Sequence, residues 1–291
     1  MTGDEKIGYN IREASRSGWT PDWFGATGFN AELIAKISEF QRDHGLVPDG
    51  LCGPETYRRV YADREAQGRA AETIVFCGKH FPIKWGKVVL WNEPGGLRVN
   101  TDTYNFVSPV TPREIRMFVN HWDVCLSSAS CVRVLNDRKV SVHFSIDNDG
   151  TIYQLADMQQ ICWHAGNGKV NMASVGVEIS NAFYTKFQDT YVSKGFGPRP
   201  IQKGVKVHGG TLEDHLGFYP TQLDALAALW AAVHNAAGVP LVLPQEDHVV
   251  SPAVADGTFA GFVNHYHVTN RKIDCAGLDT KVILDRAKTL C

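Results

Sequence analysis

The chain lacks several features that mark common classes of protein. It contains no run of about 18 apolar residues, so we expect no membrane-spanning helix and no membrane insertion. It has no basic block and a formal net charge of -2, so nucleic acid is not an expected partner. Met1–Asn10 is polar and mixed in charge, without the apolar segment of a Sec signal peptide. We therefore expect synthesis in the cytoplasm without a Sec signal.

The cysteines do not form the pattern of a small disulfide scaffold. There are seven of them, an odd number, and their spacing is irregular. We expect mainly reduced, buried thiols. Cys125 and Cys131 are close enough in sequence to form a bridge in an oxidising compartment.

What is present indicates a soluble globular chain of one large or two smaller domains. The 291 residues are 44% hydrophobic and 21% charged, which is ordinary for a packed core. The stretch 62–71 is rich in charged and small residues and reads as a helix end or a linker. We place the domain boundary there and expect domains at 1–68 and 72–291.

The first segment has the pattern of a small helical domain. Leu33, Ile37 and Phe40 recur at helical spacing. A glycine- and proline-rich turn follows over 45–53, and a second helix begins near Pro54.

From about residue 72 the pattern becomes a mixture of helices and strands. Ser141–Asp147 and Thr151–Leu155, separated by Asn-Asp-Gly, predict a β-hairpin. Thr221 is a candidate N-cap for a helix that Gly238 ends. The other expected elements are strands at Ile115–Trp122, Ser174–Ser180 and Phe262–Val268.

Two polar residues lie on these strands at positions suited to chemistry. His121 is at the end of a strand, where an imidazole can face a cleft as a metal ligand. Glu178 is opposite the apolar face of its own strand. Beside a metal it would be a candidate general base, whereas alone it would be an ordinary solvated carboxylate.

A second group of candidate ligands lies near the C-terminus. His267 and Cys275 are eight residues apart, and an imidazole and a thiolate are both suitable zinc ligands. His265 is an alternative to His267, because on a strand it would share the same face. Asp274 is an alternative to Cys275, because a carboxylate also binds zinc.

The segment Cys162-Trp-His-Ala-Gly166 presents an aromatic ring and an imidazole among small residues. It suits the wall of a binding site. We expect substrate-binding side chains at Trp163, His164 and Asn171.

Six short segments occur in a characteristic order: His121, Ser141-Val-His-Phe, Asp149-Gly-Thr-Ile-Tyr-Gln, Trp163-His-Ala-Gly, Ser174-Val-Gly-Val-Glu-Ile and His267 with Lys-Ile-Asp-Cys275. In this order the chain resembles type 2 N-acetylmuramoyl-L-alanine amidases from about residue 110 to 280. That family contains T7-type phage lysozymes and the peptidoglycan recognition proteins.

The N-terminal segment resembles the helical peptidoglycan-binding domains of cell-wall hydrolases. The similarity is carried by Phe40-Gln41, Gly45-Leu46, Asp49-Gly50 and Gly53-Pro-Glu-Thr56. The combination resembles a modular phage endolysin that acts on the cell wall as a monomer.

The resemblance implies an α/β fold, with a mixed central sheet flanked by helices, and a small N-terminal all-α domain. It implies Zn2+ bound by His121, His267 and Cys275. Cys275 is preferred over Asp274 because thiolate binds zinc more strongly.

The resemblance also assigns the remaining roles. It implies Glu178 as the base and Lys272 as the residue that stabilises the oxyanion. Val142 stands where some phage members have tyrosine, which makes Glu178 more necessary. The stretch Thr185–Leu216 reads as an insertion near the groove.

The expected reaction is hydrolysis of the amide bond between N-acetylmuramic acid and L-alanine by zinc-activated water. Two alternatives remain: a peptidoglycan recognition protein without catalysis, and a zinc peptidase that cuts within the stem peptide.

Overall fold

The computed structural model describes residues 1–68, 72–102 and 106–291. The chain divides into two compact units, Met1–Ala70 and Ala71–Cys291. The expected linker at 62–71 begins inside a helix that continues to Gly68, and its residues 69–71 lie outside the described residues. None of the described helices has the length and apolar character needed to cross a membrane.

The N-terminal unit is helical, as the apolar spacing predicts. Its helices are α1 (Gly3–Ser17), α2 (Ala31–Asp43) and α3 (Pro54–Gly68). Thr2 and Glu5 form a capping box at α1, and Asn30 caps α2 through Leu33 N. Such caps satisfy amide groups that a helix start leaves without partners.

Gln41 organises the turn between α2 and α3. Its buried Nε2 lies 2.9–3.0 Å from Asp49 Oδ1, Leu51 O and Thr56 Oγ1, and its Oε1 accepts from Gly50 N. At Gly50 the backbone has φ 73° and a Cβ would lie 2.6 Å from Ile34 Cγ2. Only glycine fits this turn without strain.

The C-terminal unit is built on a mixed six-stranded sheet. The strands and helices of this unit are β1 (Thr73–Phe76), β2 (Lys79–Pro82), β3 (Val88–Leu90), β4 (Phe106–Val107), β5 (Met117–Trp122), α4 (Ser128–Asp137), β6 (Phe144–Ile146), β7 (Ile152–Gln154), β8 (Ile161–Cys162), α5 (Gly168–Ala173), β9 (Ser174–Ile179), α6 (Gln188–Ser193), β10 (Ile201–Gln202), β11 (Lys206–Val207), β12 (Gly210–Thr211), β13 (His215–Leu216), α7 (Pro220–Ala237), α8 (Pro252–Ala255), β14 (Gly261–Asn264) and α9 (Thr280–Leu290). The sheet order is β14-β5-β9-β6-β7-β3. The β6–β7 pair is antiparallel and the other pairs are parallel. The mixed α/β fold and the predicted hairpin are confirmed.

The two faces of the sheet have different partners. Phe118 and Trp122 pack in the main core with Trp230 of α7. Met117 and Val119, which point the other way, pack with Val170 of α5. Because side chains alternate along a strand, His121 projects on the face opposite α7.

Several expected boundaries shift by a few residues. The strand expected at Phe262–Val268 ends at Asn264, and a 3-10 turn follows over His265–His267. Helix α7 begins at Pro220, so Thr221 is not its N-cap. Gly238, with φ 73°, ends this helix as expected.

The stretch Thr185–Leu216 is folded around Arg199, which is 2% exposed. Its guanidinium donates to Ser180 O at 2.7 Å, to Gly217 O at 2.8 Å and to Asn148 Oδ1. It also lies 4.3 Å and 4.4 Å from the ring centroids of Tyr191 and Tyr219. The buried cation therefore ties the stretch to the end of β9.

Candidate metal and catalytic site

Three potential ligands meet at the ends of two neighbouring strands. Asn120 of β5 pairs with Asn264 of β14, so His121 and His265, the next residues, emerge side by side. Their Nδ1 atoms are 2.9 Å apart, and Asp274 Oδ2 lies 3.1 Å from the first and 3.0 Å from the second. All three side chains are buried.

The donor set suits a cation. His265 Nε2 is 3.1 Å from the carbonyl oxygen of Ala165, which can only accept, so Nε2 carries a hydrogen and Nδ1 offers its lone pair to the cluster. A tetrahedral site with zinc–nitrogen and zinc–oxygen bonds of 2.0–2.2 Å places its ligand atoms roughly 3.3 Å apart. The observed separations of 2.9–3.1 Å are close to that spacing.

Electrostatics favours the ligand forms of these groups. Burial, followed by the neighbouring His265, lowers the pKa of His121 to about 4, so its imidazole is neutral at pH 7. Burial alone would raise the pKa of Asp274, but His265 and His121 hold that pKa below its usual range. Two imidazoles and a carboxylate at close range are a metal-binding combination.

His164 extends this group beyond His121. Its Nδ1 lies 2.9 Å from His121 Nε2, and its Nε2 lies 3.3 Å from Ser174 Oγ. Burial, and then His121, lowers the pKa of His164 well below its ordinary value. The ring takes the space in front of Gly176, where a Cβ would lie 2.7 Å from His164 Nδ1.

The loop that carries His164 is held from inside. The buried Asn171 accepts from His164 N at 3.2 Å and from Ala165 N at 2.9 Å through Oδ1. Asn171 thus supports the loop, while Trp163 is exposed at its tip. This contact was not evident from the sequence.

Glu178 stands beside His121 on the next strand. The two residues are register partners in the parallel β5–β9 pair, so their side chains share a face. Its Oε2 atom is buried without a hydrogen-bond partner in the described part of the chain. Burial, followed by the charges of Asp123 and Asp274, raises the pKa of Glu178 well above its ordinary value, with Lys272 opposing this rise.

The structure does not bring His267 and Cys275 into this group. His267 Nδ1 accepts from Asn264 N at 3.0 Å, and its Nε2 is 3.0 Å from Glu246 O. Cys275 packs in the main hydrophobic core, and burial raises its thiol pKa well above the ordinary value. His265 and Asp274, the two alternatives, occupy the positions expected for these residues.

The physical reason lies in local backbone geometry. Strand β14 ends before His265, so alternation along a strand does not extend to His265 and His267. Cys275 follows Asp274 directly, and its side chain packs in the main core instead of reaching the two imidazoles. The sequence motif therefore indicated the segment, whereas the side chains that meet there depend on where the strand ends.

Comparison with known proteins gives two matches to family models. Residues 111–275 match the family described as N-acetylmuramoyl-L-alanine amidase, and residues 6–60 match the family described as "Putative peptidoglycan binding domain". No curated protein matches the chain.

Solved structures with a similar fold come from several bacteria. AmpDh3 from Pseudomonas aeruginosa, in complex with an anhydromuramic pentapeptide, has 18% identity and a TM-score of 0.40 over 65% of this chain and 66% of that one. A mutant endolysin from Bacillus subtilis has 16% identity and a TM-score of 0.39 over 70% and 96%. The amidase LysC from Clostridium intestinale has 17% identity and a TM-score of 0.38 over 67% and 99%.

Proposed function

This chain belongs to the N-acetylmuramoyl-L-alanine amidase family, and we propose that it hydrolyses the bond between N-acetylmuramic acid and L-alanine in peptidoglycan with the help of zinc. The observation that carries the zinc proposal is the convergence of His121, His265 and Asp274 on one point. Two histidines and one carboxylate are a ligand combination found in catalytic zinc sites. The two imidazoles and the carboxylate would hold the ion.

Zinc bound there supplies Lewis-acid chemistry, which activates water and polarises the amide carbonyl. Glu178 is the general base in this proposal. Its carboxylate shares the sheet face with His121, and its raised pKa suits both the removal of a proton from water and its return to the leaving L-alanine nitrogen.

Two further side chains bind and stabilise the substrate in this proposal. Lys272 is exposed, and its positive charge acts on both His121 and Glu178. It is thus suited to stabilise negative charge that develops on the carbonyl oxygen. Trp163, at the exposed tip of its loop, offers an aromatic face to the substrate, while His164 lines the site beside His121.

The two units have separate tasks in this proposal. Residues 1–68 form a domain that binds peptidoglycan, and residues 72–291 form the domain that cuts it. Attachment raises the local concentration of enzyme on the wall without contributing to the chemistry. This arrangement fits an endolysin that acts on the bacterial cell wall.

The decisive experiment is mass analysis of purified peptidoglycan after digestion by the zinc-loaded protein. Free L-alanine amino groups and intact stem peptides, without new reducing sugar ends, are the expected products. Fragments cut within the stem would instead identify a peptidase, and binding without products would identify a recognition protein. Glu178→Gln is the matched control. It should release neither free L-alanine amino groups nor intact stem peptides above background.

Wall attachment is tested separately by co-sedimentation with purified walls. The Glu178→Gln protein should pellet with the walls, and the additional change Gln41→Leu should reduce this binding because it removes the bonds that shape the turn at Gly50. Equal binding by both proteins would argue against this role for the N-terminal unit.

A further inference from the structure

A second group of metal-binding side chains lies just beyond the end of β5. Asp123, Cys125 and Cys131 place a carboxylate oxygen and two sulfur atoms within 4.8 Å of one another. The two thiols are free. We propose that these three residues form a second cation site, which takes a thiophilic divalent cation of the zinc or cadmium type.

The loop before α4 assembles the cluster. Val124 has φ 51°, and this turn lets Asp123 Oδ1 accept from Cys125 N at 2.8 Å. Ser127 then caps α4 through Ser130 N, and Cys131 N donates to Ser127 O at 2.9 Å. The first turn of α4 therefore faces back toward the loop and brings the second sulfur to the first.

The donor atoms match the needs of such a cation. With metal–sulfur bonds of about 2.3 Å and metal–oxygen bonds of about 2.1 Å, tetrahedral geometry separates two sulfurs by roughly 3.8 Å and a sulfur from an oxygen by roughly 3.6 Å. Both values are within the 4.8 Å limit of the cluster. Soft thiolates select zinc-type ions over magnesium and calcium.

A buried carboxyl group lies near the cluster, and the cluster has a route for entry. Glu178 Oε2 is buried and lacks a hydrogen-bond partner among the described residues. Asp123 and Cys125 are only half-buried, so a hydrated ion can reach them from solvent.

Asp123 retains room for a cation despite its structural contacts. Its Oδ1 accepts from Cys125 N and from Asn181 N at 2.9 Å, while its Oδ2 accepts from Ser180 Oγ at 3.1 Å. A carboxylate oxygen can accept a second partner, so Oδ2 remains able to bind an ion. Binding releases the two thiol protons to solvent and changes no oxidation state.

The site shares no ligand with the group formed by His121, His265 and Asp274, so the two can be tested apart. Full-length, zinc-loaded protein is titrated with Cd2+, and the ultraviolet charge-transfer absorption of thiolate–cadmium bonds is recorded with total metal content. Saturation of this absorption at one Cd2+ per chain is expected, whether Cd2+ enters an empty site or displaces zinc from it. Cadmium that replaces zinc at two imidazoles and a carboxylate would not produce the thiolate absorption.

Cys125→Ser and Cys131→Ser should each lower the affinity for Cd2+ by more than the roughly 10- to 100-fold loss typical of changes outside the ligand shell. Cys291→Ser, which removes an exposed cysteine, should leave the titration unchanged. Circular dichroism measures whether each variant folds. Because Cys125 is half-buried, Cys125→Ser is expected to fold, so it tests the site even if Cys131→Ser does not fold.

Three results would overturn the proposal. One is the absence of thiolate–cadmium absorption in the wild-type protein. Another is the same absorption in Cys125→Ser. The third is an intact mass lower by two hydrogens in protein isolated without reductant, traced by peptide mapping to Cys125 and Cys131, because the pair would then be a disulfide rather than a cation site.

Discussion

The imidazole of His164 fills the space that a side chain at residue 176 would need. A Cβ built on Gly176 would lie 2.7 Å from His164 Nδ1 and 2.8 Å from its Cε1. The same Nδ1 lies 2.9 Å from His121 Nε2. A glycine in the middle of a buried strand is thus explained by the ring that it accommodates on the site face of the sheet.

Gly176→Ala is therefore expected to displace His164 and weaken its contact with His121. We predict a fall in kcat/KM on muropeptide substrate of at least about 10-fold and a loss of roughly 1–3 kcal/mol of stability from overpacking. Steady-state kinetics and denaturant unfolding measure the two effects. Gly168→Ala is the control, since a Cβ there meets nothing within 4 Å; equal activity in both variants would contradict the prediction.

The ligand set predicts different zinc contents for neighbouring histidines. His265→Ala removes an atom 3.0 Å from Asp274 Oδ2, so zinc affinity should fall by more than the roughly 10- to 100-fold typical of outer-shell changes. His267→Ala should retain the zinc content of the wild type, because its ring contacts Glu246 O and Asn264 N instead. Elemental analysis after dialysis measures both.

Zinc content can be compared in the same way for variants of Asp274 and Cys275. Asp274→Ala should lose zinc, whereas Cys275→Ala should keep it, with a stability cost from the cavity left in the core. The opposite result would be zinc loss from each of the single variants His267→Ala and Cys275→Ala, with zinc retained by His265→Ala and Asp274→Ala. That result would favour the ligand set expected from the sequence.

Glu178→Gln is predicted to lower kcat by about 10²–10⁴-fold, the usual contribution of a general base, with zinc content unchanged. In the wild type, kcat/KM should rise with pH as Glu178 loses its proton at a pKa well above the ordinary value. That rise should be absent from the residual activity of the variant. Glu114→Gln, an exposed carboxylate paired with Arg116, should match the wild type.

The same buried carboxylate has a consequence for stability in the zinc-free protein. The folded state holds the Glu178 proton at pH values where the unfolded chain has lost it, so the free energy of unfolding falls as pH rises from 4.5, the ordinary glutamate value, through the raised pKa. Zinc-free Glu178→Gln should thus be more stable than zinc-free wild type at pH 8, and similar to it at pH 4. Denaturant unfolding with chelator at both pH values tests the sign.

Arg199→Lys is predicted to destabilise the C-terminal unit by about 3 kcal/mol, although charge is conserved. An ammonium group cannot replace the fork that reaches Ser180 O, Gly217 O and Asn148 Oδ1, and oxygens without donors cost about 1–3 kcal/mol each. Thermal unfolding of the full chain measures the loss. Lys203→Ala, which breaks an exposed ion pair with Asp214, should cost no more than about 1 kcal/mol.

Much of this architecture follows from local patterns in the sequence. The apolar spacing of Leu33 and Ile37, the alternation along Ser174–Ser180 and the Asn-Asp-Gly turn specify elements through contacts only a few residues apart. His121 and Glu178 became candidate site residues through the resemblance to the amidase family, because a lone polar side chain on a strand is ordinarily a structural or solvated residue. The order of motifs was sufficient to identify the family.

The placement of near neighbours depends on tertiary structure alone. His265 and His267 differ by two residues and have the same chemistry, but only His265 follows directly on the residue that pairs with Asn120. Asp274 and Cys275 are adjacent, yet one faces the two imidazoles and the other packs in the core. Sequence determines which side chains are available, whereas the point at which a strand ends, and the face of the sheet that becomes buried, depend on contacts between residues that are far apart along the chain.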